Sequence, residues 1–447
     1  MYFLYRILTA VGMIVLAPYY ALRGWRRGEP HETLRQRFGI LPADMTRMET
    51  PAGSLTGAEP LAPIWIHAVS VGEVLAAKSL VDALKGWDPA RQLFLSTTTE
   101  TGQRLARERV AADRVFYFPF DWIVPVRWTL RGIRPAIVIV METEIWPNFL
   151  REARRMGIPV VFANARISGR SFERFRRWQF LVGPFFAQAL QDAELFLAQT
   201  SDDADRLREM GAGEERVEVI GNLKFDAEPP AVGPFGKWLE GEILGQERWP
   251  ILVAGSVVEG EEGPVLAAYD LAQRKWNHAL LVLAPRKPGR FDAAAEVARA
   301  AGWNVVRRSK LTETAQLDEN ADVLLLDSIG ELAGIYALAD AVFVGGSLVN
   351  SGGHNILEPA WFARPPIFGT SMENFREMAD MFLDSNAGIQ VNSGTMLGKA
   401  WVQLIEDGPL RKRMGQAARA ISERNRGATA KTLERIEALL AELRETR

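Results

Sequence analysis

The chain has 447 residues, 48% hydrophobic and 24% charged, which is enough for two globular domains and argues against wholesale disorder. Its 53 basic and 55 acidic residues give a formal net charge of −2, which does not favour a nucleic-acid-binding protein. The absence of cysteine excludes disulfides, thiolate-bound metals and thiol nucleophiles.

The first 27 residues are predicted to form a membrane anchor. The segment from Tyr2 to Leu22 carries one charge, at Arg6, and about 20 mostly apolar residues are enough to cross a bilayer. Arginines are frequent between positions 23 and 37, and the positive-inside rule places that side of the segment in the cytoplasm. An amphipathic helix lying on the bilayer surface is the alternative interpretation.

Residues 28–226 are predicted to form a first α/β domain. A stretch rich in Pro, Gly and Thr at 42–63 is typical of a linker or surface loop. Short apolar runs such as IWIHAVS and PAIVIVME then alternate with helical patterns. This alternation is typical of a parallel sheet with helices on both faces.

A second α/β domain is predicted at 249–447. Residues 227–248 interrupt the alternation with Pro, Gly and charge, and are predicted to connect the two domains. The alternation then resumes, and the chain ends in amphipathic helices. The predicted fold class is therefore α/β, with two doubly wound domains in tandem. Ligands of such sheets bind outside the carboxyl ends of the strands, so strand-end residues of both domains are expected to face a shared cleft.

Several familiar cofactor motifs are absent from the sequence. It contains no GxGxxG fingerprint, no GxxxxGK[ST] loop and no HExxH. With four histidines and no cysteine, a catalytic metal site is not expected, although carboxylates alone can hold magnesium.

Two interpretations of Glu73 remain open at this point. The strand IWIHAVS ends near Ser70, Gly72 permits a tight turn, and a helix is predicted to begin near Glu73. A carboxylate in the first turn of a helix is stabilised by the helix dipole, which is a structural role. The alternative is that the strand end presents Glu73 as a general base. His67, inside the strand, is interpreted as a core histidine.

Two further strand ends carry charged candidates. Glu142 and Glu144 follow the strand PAIVIV, and carboxylates two residues apart on an extended segment share a face and repel each other. A cationic partner or a catalytic duty would explain the pair, and a strand-end loop paired with an arginine would do so equally well. Lys224, in GNLKFD, follows a short strand and is a candidate cation for an anionic substrate.

Three runs of the second domain are candidates for anion binding. LVLAPRKPGRF places Arg286, Lys287 and Arg290 at a strand end, and DSIGEL places a glycine and a glutamate at a helix start. FVGGSLVNSGGHNILEPA combines two glycine pairs with a helix whose first turn carries Glu358. Glycines let backbone amides approach a phosphate, and Glu358 is a candidate acceptor for ribose hydroxyls. An ordinary glycine-rich turn is the alternative.

Together these runs resemble the bacterial 3-deoxy-D-manno-octulosonic acid (Kdo) transferases. The matching stretches, in family order, are WIHAVSVGE, STTTETG, METEIWPN, NARIS, GNLKFD, APRKPGRF, DSIGEL and FVGGSLVNSGGHNILEPA. The resemblance implies a GT-B fold of two Rossmann-like domains, the first for the acceptor and the second for the CMP-sugar. It implies inverting transfer of Kdo from CMP-Kdo to a lipid A precursor, with no metal required. The implied location is the cell inner membrane, with the catalytic domains on the cytoplasmic side.

The resemblance also implies roles for individual residues. Glu73 matches the catalytic base, and Lys224, Glu142 and Glu144 match positions that support the transition state. The CMP-binding segments match Arg286, Lys287, Ile329, Gly330, Glu331, Ser347, Asn355, Ile356, Leu357 and Glu358. This chain has Lys287-Pro288-Gly289 where the family usually has His-Pro-Glu, so the donor contacts are expected to differ in detail.

Two other functions are kept as alternatives. One is a nucleotide-sugar epimerase of related architecture, and the other is a non-catalytic, membrane-tethered binder of sugar nucleotides. The basic and aromatic stretch RSFERFRRWQF, at 170–180, is predicted to contact the acceptor at the membrane surface.

Overall fold

Two parallel sheets, each of seven strands, organise the chain. The computed structural model describes residues 2–12, 31–46, 61–229, 231–312 and 315–445. Internal contacts divide the chain into a first unit, Met1–Ala227 with Asn425–Arg447, and a second unit, Glu228–Arg424. The predicted fold class of two parallel-sheet α/β domains is therefore confirmed.

The first sheet has the strand order β3-β2-β1-β4-β5-β6-β7. The order reverses at β1, which lies between β2 and β4, and ligands bind at the carboxyl ends of strands at such a reversal. Most of its strand residues are buried on both faces, which explains the continuous apolar runs in the sequence. The strands are β1 (Ile64–His67), β2 (Leu93–Thr97), β3 (Arg114–Tyr117), β4 (Ile137–Met141), β5 (Val160–Ala165), β6 (Leu195–Ala198) and β7 (Val217–Val219).

Helices cover both faces of this sheet. Alternate residues of β1 enter opposite layers, because Trp65 packs with the helices that follow β3 and β4, whereas Ile66 packs with the helix that follows β1. The helices are α1 (2–12), α2 (His31–Arg37), α3 (Ala43–Thr46), α4 (Val71–Trp87), α5 (Glu100–Arg109), α6 (Ile123–Ile133), α7 (Pro147–Arg155), α8 (Gly169–Leu190) and α9 (Ser201–Glu209).

The second sheet has the order β10-β11-β9-β8-β12-β13-β14 and differs from the first in that a later strand, β11, lies between β9 and β10. Its strands are β8 (Ile251–Val257), β9 (Leu280–Pro285), β10 (Val305–Arg307), β11 (Val323–Leu325), β12 (Ala341–Val344), β13 (Pro366–Phe368) and β14 (Ile389–Gln390). The helices are α10 (Pro234–Gly245), α11 (Glu262–Gln273), α12 (Phe291–Ala300), α13 (Leu332–Ile335), α14 (Leu357–Trp361), α15 (Arg376–Asp384), α16 (Gly394–Glu406) and α17 (Gly408–Arg424).

The segment predicted to be a linker at 227–248 contains a helix that belongs to the second unit. Helix α10 packs there through Trp238, whose Nε1 donates to the Ala315 carbonyl at 3.1 Å, and through Phe235, whose ring lies 4.0 Å from the Arg308 guanidinium carbon. The Pro and Gly content that suggested a linker marks the beginning of this helix at Pro234 and its end at Gly245.

The carboxyl end corrects the predicted second domain, 249–447, because the last helix, α18 (Ala428–Glu445), belongs to the first unit. Its residues Ile436 and Leu440 join the apolar layer that also contains α4. Asp226 accepts a hydrogen bond from the Gly427 amide at 2.6 Å and another from the Thr429 amide, which fixes the beginning of the helix. An amphipathic pattern shows that a helix has an apolar face, but it does not show which sheet receives that face.

This arrangement predicts that a change in α18 weakens the first unit. Ile436→Val should lower the free energy of unfolding by about 1 kcal/mol, because it removes one methylene from a fully buried side chain. Hydrogen exchange should show reduced protection of α4 amides and unchanged protection of β8. Glu434→Gln, at an exposed position of the same helix, is the matched control. A loss of protection confined to β8 would contradict this placement.

The described part of the predicted anchor is a helix lying on the first unit. In α1, the hydroxyls of Tyr2 and Tyr5 donate to the carboxylates of Asp192 and Asp121 at 2.8 Å, and Arg6 pairs with Glu152 at 2.7 Å. The other side of α1 is exposed and apolar, and consists of Phe3, Leu4, Ile7, Leu8 and Val11. Among the described helices, none is long and apolar enough to cross a bilayer. Residues 13–27 of the predicted anchor lie outside the described ranges.

Candidate active site

Glu73 caps the helix that carries it. Ser70 is the N-cap of α4, and its hydroxyl donates to Glu73 Oε1 at 2.9 Å. The Val69 amide donates to Glu73 Oε2 at 2.7 Å. The sequence Ser-Val-Gly-Glu has the spacing of a capping box, so the structural interpretation of Glu73 has a specific local signal. Capping leaves lone pairs unused on both oxygens, and these can accept a further proton or hydrogen bond.

The structure brings Glu73 together with the other three predicted catalytic residues. Glu142 follows β4, the neighbour of β1, and its Oε1 lies 3.2 Å from Lys224 Nζ. The pKa of Glu73 is raised to about 7, chiefly by burial, next by repulsion from Glu142, and to a smaller extent by Glu144. The two capping hydrogen bonds act in the opposite direction. Three carboxylates and one ammonium group therefore share the carboxyl ends of the central strands.

This electrostatic environment suits proton transfer. A carboxyl group with a pKa near 7 exchanges its proton at neutral pH, which is the property required of a general base or acid. Burial, followed by repulsion from Glu142, also raises the pKa of Glu144. Raised carboxyl pKa values at one sheet edge mark this cluster as the candidate active site.

Lys224 lies next to the end of β4, although the strand before it, β7, is at the edge of the sheet. Hydrogen bonds of asparagine and glutamine side chains hold it there. Asn164, at the end of β5, accepts a hydrogen bond from the Leu223 amide at 3.0 Å through Oδ1. Gln199 donates to the Asn164 carbonyl at 3.0 Å and accepts from Asn222 at 2.9 Å. Sequence reasoning missed these three residues. Two of them lie in stretches that carry the family resemblance, Asn164 in NARIS and Asn222 in GNLKFD, and the φ of 57° at Asn164 suits asparagine better than most residues.

His67 is a core histidine, as the sequence suggested. Its ring is fully buried and stacks on Phe118 with the centroids 3.9 Å apart. Nδ1 contacts Ser96 Oγ at 2.9 Å, and burial lowers the pKa of the imidazole to about 3. The side chain is therefore uncharged at neutral pH.

In the second unit, four charged or titratable residues gather near the carboxyl ends of β9 and β12. Arg286 and Lys287 follow β9 and are exposed. Burial, together with the smaller effects of both cations, lowers the pKa of His354 to about 4. Burial raises the pKa of Glu358 to about 7, while Arg286 and a hydrogen bond from Asn355 act in the opposite direction. Arg286 thus lies near a carboxyl group that can accept hydrogen bonds, and both cations lie near His354.

The first glycine pair does not present its amides to a ligand, which corrects part of the expected phosphate cradle. The amides of Gly346, Ser347 and Leu348 donate to the carboxylate of Glu261 at 2.7, 2.8 and 2.8 Å. The hydroxyl of Ser347 is buried, donates to the Val344 carbonyl at 2.6 Å and accepts from the Gly369 amide at 2.8 Å. Ser347 therefore stabilises the loop.

Glu331 and Arg290 are also engaged within the second unit. Arg308 donates to the two carboxylate oxygens of Glu331 at 2.9 and 3.0 Å. Arg290 donates to Glu262 at 2.8 Å and to Glu259 at 3.1 Å. Next to Glu331, Ile329 is 71% exposed, and Gly330 has a φ of 89° that only glycine adopts readily. The loop therefore presents an apolar side chain beside an ion pair.

No group of three His, Asp or Glu side chains in the described ranges is arranged to hold a metal ion.

Asn355 Oδ1 accepts from the Leu357 amide at 3.1 Å, so Asn355 orders the beginning of α14, whose N-cap is Ile356.

Comparison with known proteins identifies relatives across most of the chain. Residues 32–227 match the family model for 3-deoxy-D-manno-octulosonic-acid transferase (kdotransferase). A 3-deoxy-D-manno-octulosonic acid transferase of Haemophilus influenzae is 35% identical over 378 residues, which cover 83% of this chain and 86% of the relative. One from Bordetella pertussis is 33% identical over 444 residues, which cover 94% of this chain and 96% of the relative.

Solved structures share the fold at lower identity. A UDP-GlcNAc 2-epimerase from Neisseria meningitidis, solved with UDP-GlcNAc, matches with a TM-score of 0.55 and 13% identity. The match covers 84% of this chain and 100% of the epimerase. At this identity the likeness shows the two-domain parallel α/β fold alone, and it does not favour epimerase activity.

Proposed function

Because the chain belongs to the 3-deoxy-D-manno-octulosonic acid transferase family and is a glycosyltransferase, we propose that it moves Kdo from CMP-Kdo to a lipid A precursor in lipopolysaccharide synthesis. The observation that carries the proposal is the meeting of Glu73 with Glu142, Glu144 and Lys224 at the carboxyl ends of the central strands. These residues suit a reaction that needs a base beside an anionic sugar.

Glu73 acts as the general base in this proposal. Its carboxylate takes the proton of an acceptor hydroxyl while the hydroxyl oxygen bonds to the anomeric carbon of Kdo. The bond from that carbon to the phosphate of CMP breaks, CMP leaves with the electron pair, and the configuration inverts. The neighbouring carboxylates raise the pKa of Glu73, so proton uptake relieves their repulsion. Lys224, paired with Glu142 at 3.2 Å, supplies the cation for the carboxylate of Kdo.

Residues of the second unit hold the nucleotide in this proposal. The exposed cations Arg286 and Lys287 attract the phosphate and stabilise the charge that develops on the leaving CMP. Glu358 accepts hydrogen bonds from the ribose hydroxyls, and binding of those hydroxyls favours its ionised form. Ile329 covers part of the nucleotide. No metal is required, because these cations offset the charge of a monophosphate.

The proposed location is the cytoplasmic side of the inner membrane, where a lipid acceptor and a soluble donor meet. The exposed apolar side of α1 supports this location, as do Trp178 and Phe180 of α8, which are 54% and 93% exposed. Arginines flank these aromatic residues in the segment 170–180. Apolar and basic side chains on one surface favour contact with an anionic bilayer.

The direct test is transfer by the purified protein. With CMP-Kdo and a tetraacylated, bisphosphorylated lipid A precursor, we expect release of CMP in step with a Kdo-lipid product. Incubation without the lipid measures hydrolysis of the donor, and incubation with UDP-GlcNAc tests the epimerase alternative. Binding of CMP-Kdo without any product would overturn the proposal in favour of a non-catalytic binder.

The raised pKa of Glu73 predicts the pH dependence of transfer. The base must be ionised, so kcat/KM should rise with pH through about 7. Glu142→Gln removes a like charge that raises the pKa of Glu73, so this rise should occur at lower pH. Glu144→Gln should move it less, because Glu144 contributes less to the shift. Initial rates at low acceptor concentration, measured from pH 5 to pH 9, give kcat/KM. If kcat/KM of Glu142→Gln rose at the same pH as that of the wild type, the repulsion between Glu142 and Glu73 would be contradicted.

A further inference from the structure

A cavity of about 400 Å³ lies in the first unit, next to the segment that follows β4. Thr143 and Ile145 line the cavity, and they alternate along the chain with Glu142 and Glu144. The volume lies in the range of pockets that hold small ligands. A molecule in this cavity would therefore lie beside the segment that carries two of the proposed catalytic carboxylates.

One wall of the cavity is apolar. One face of α8 contributes Phe175, Val182, Phe186 and the partly exposed Trp178, whose spacing of three or four residues places them along one side of the helix. Met210, which follows α9, closes the wall. Such a lining favours a flexible hydrocarbon chain, because apolar surface is stabilised by leaving water.

The rim of the same cavity is polar and cationic. Arg166 and Arg174 both line it, together with the hydroxyl residues Ser168 and Ser171. Arg174 is exposed. An apolar wall together with two guanidinium groups matches a ligand that has a hydrocarbon chain and an anionic group.

We propose that this cavity binds one acyl chain of the lipid acceptor, with a phosphate of the acceptor at Arg166 and Arg174. The inference rests on the proposed transferase function and names the part of the first unit that recognises the acceptor. The segment 142–145 contributes to both the cavity and the carboxylate cluster. An acyl chain in the cavity thus holds the acceptor while its sugar hydroxyl approaches Glu73.

Acceptors that differ in acyl-chain length test the proposal. Each methylene removed should raise the acceptor KM by about fourfold, the value for loss of one buried methylene. Val182→Trp fills the cavity, and it should abolish this dependence on chain length. Gln188→Trp adds the same bulk at an exposed position of α8 that does not line the cavity, and it should keep the dependence. Equal dependence on chain length in the two variants would overturn the proposal.

Binding without donor separates this proposal from the transferase function. The probe is the tetraacylated, bisphosphorylated disaccharide, compared with its dephosphorylated form and with phosphatidylglycerol. Arg174→Gln, at an exposed position that folding does not depend on, should weaken binding of the phosphorylated form about tenfold and leave the dephosphorylated form unchanged. Wild-type binding without any transfer would overturn the proposed function alone. Equal affinity for phosphatidylglycerol would overturn the acyl-chain proposal alone.

Discussion

Glu73→Gln should lower kcat for Kdo transfer by about 10²- to 10⁴-fold, the usual contribution of a general base. Glutamine keeps the size of the side chain and can hydrogen-bond with Ser70 and Val69 in place of the carboxylate, but it cannot take the acceptor proton. KM for the acceptor should change little, because the apolar cavity and the arginines at its rim are intact. Steady-state rates of CMP release with the lipid acceptor give the measurement.

The same substitution should not weaken the fold at pH 8. The pKa of Glu73 is about 7 in the folded protein against an ordinary value of 4.5, so the folded state binds more protons than the unfolded state between those pH values. Stability from this group is therefore present at low pH and decreases as pH rises through that window. Removal of the ionised group at pH 8 relieves up to about 3 kcal/mol of this unfavourable energy. Urea unfolding of Glu73→Gln should give a free energy equal to or above wild type.

A cap elsewhere in the first unit provides the control. Thr200 caps α9 by accepting from the Asp203 amide at 3.1 Å, and Thr200→Ala should lower the free energy of unfolding by about 1 kcal/mol while transfer stays at the wild-type rate. If Glu73 were only a cap, Glu73→Gln would leave transfer at the wild-type rate, as Thr200→Ala does. That result would remove Glu73 from the mechanism.

The sequence predicted both sheets and the position of Glu73 and Glu142 at strand ends because these features depend on local patterns. Continuous apolar runs mark buried parallel strands, and the carboxyl ends of neighbouring strands lie at one edge. Glu73 follows β1 and Glu142 follows β4, and those strands are neighbours in the sheet. The strand order itself has no local signal, so the sequence suggested only that the two glutamates face the same edge.

Features that depend on distant contacts were not predictable. Lys224 reaches Glu142 because Asn164 and Gln199 hold the chain after β7 across the sheet edge. Helix α18 returns to the first unit because Ile436 fits the layer over α4. A polar side chain or an apolar stripe shows that a partner is needed, but it does not show which of several distant segments provides it.

The glycine run of the second unit is a further feature whose partner could not be predicted from the sequence. Glycines before a helix indicate amides that can approach an anion, and that chemistry is correct. The anion is Glu261, which lies 85 residues before Gly346 in the sequence. A carboxylate of the protein itself occupies the amides that a phosphate was expected to use, and it rigidifies the loop between β12 and α14.

Glu261→Gln should therefore destabilise the second unit by about 3 kcal/mol or more. Oε2 of Glu261 accepts from the amides of Gly346 and Val258, and Oε1 accepts from those of Ser347 and Leu348. In either orientation a glutamine places its NH₂ group against two N–H donors, so two hydrogen bonds to a charged acceptor are lost in a buried site. Guanidinium chloride unfolding measures the loss. Hydrogen exchange should localise the loss of stability to β12 and the loop that follows, while β1 and α4 keep their protection.

Glu259→Gln is the control, because the side chain of Glu259 is 79% exposed. It should change stability by less than about 0.5 kcal/mol. A loss below about 1 kcal/mol in Glu261→Gln would show that these hydrogen bonds do not hold the loop.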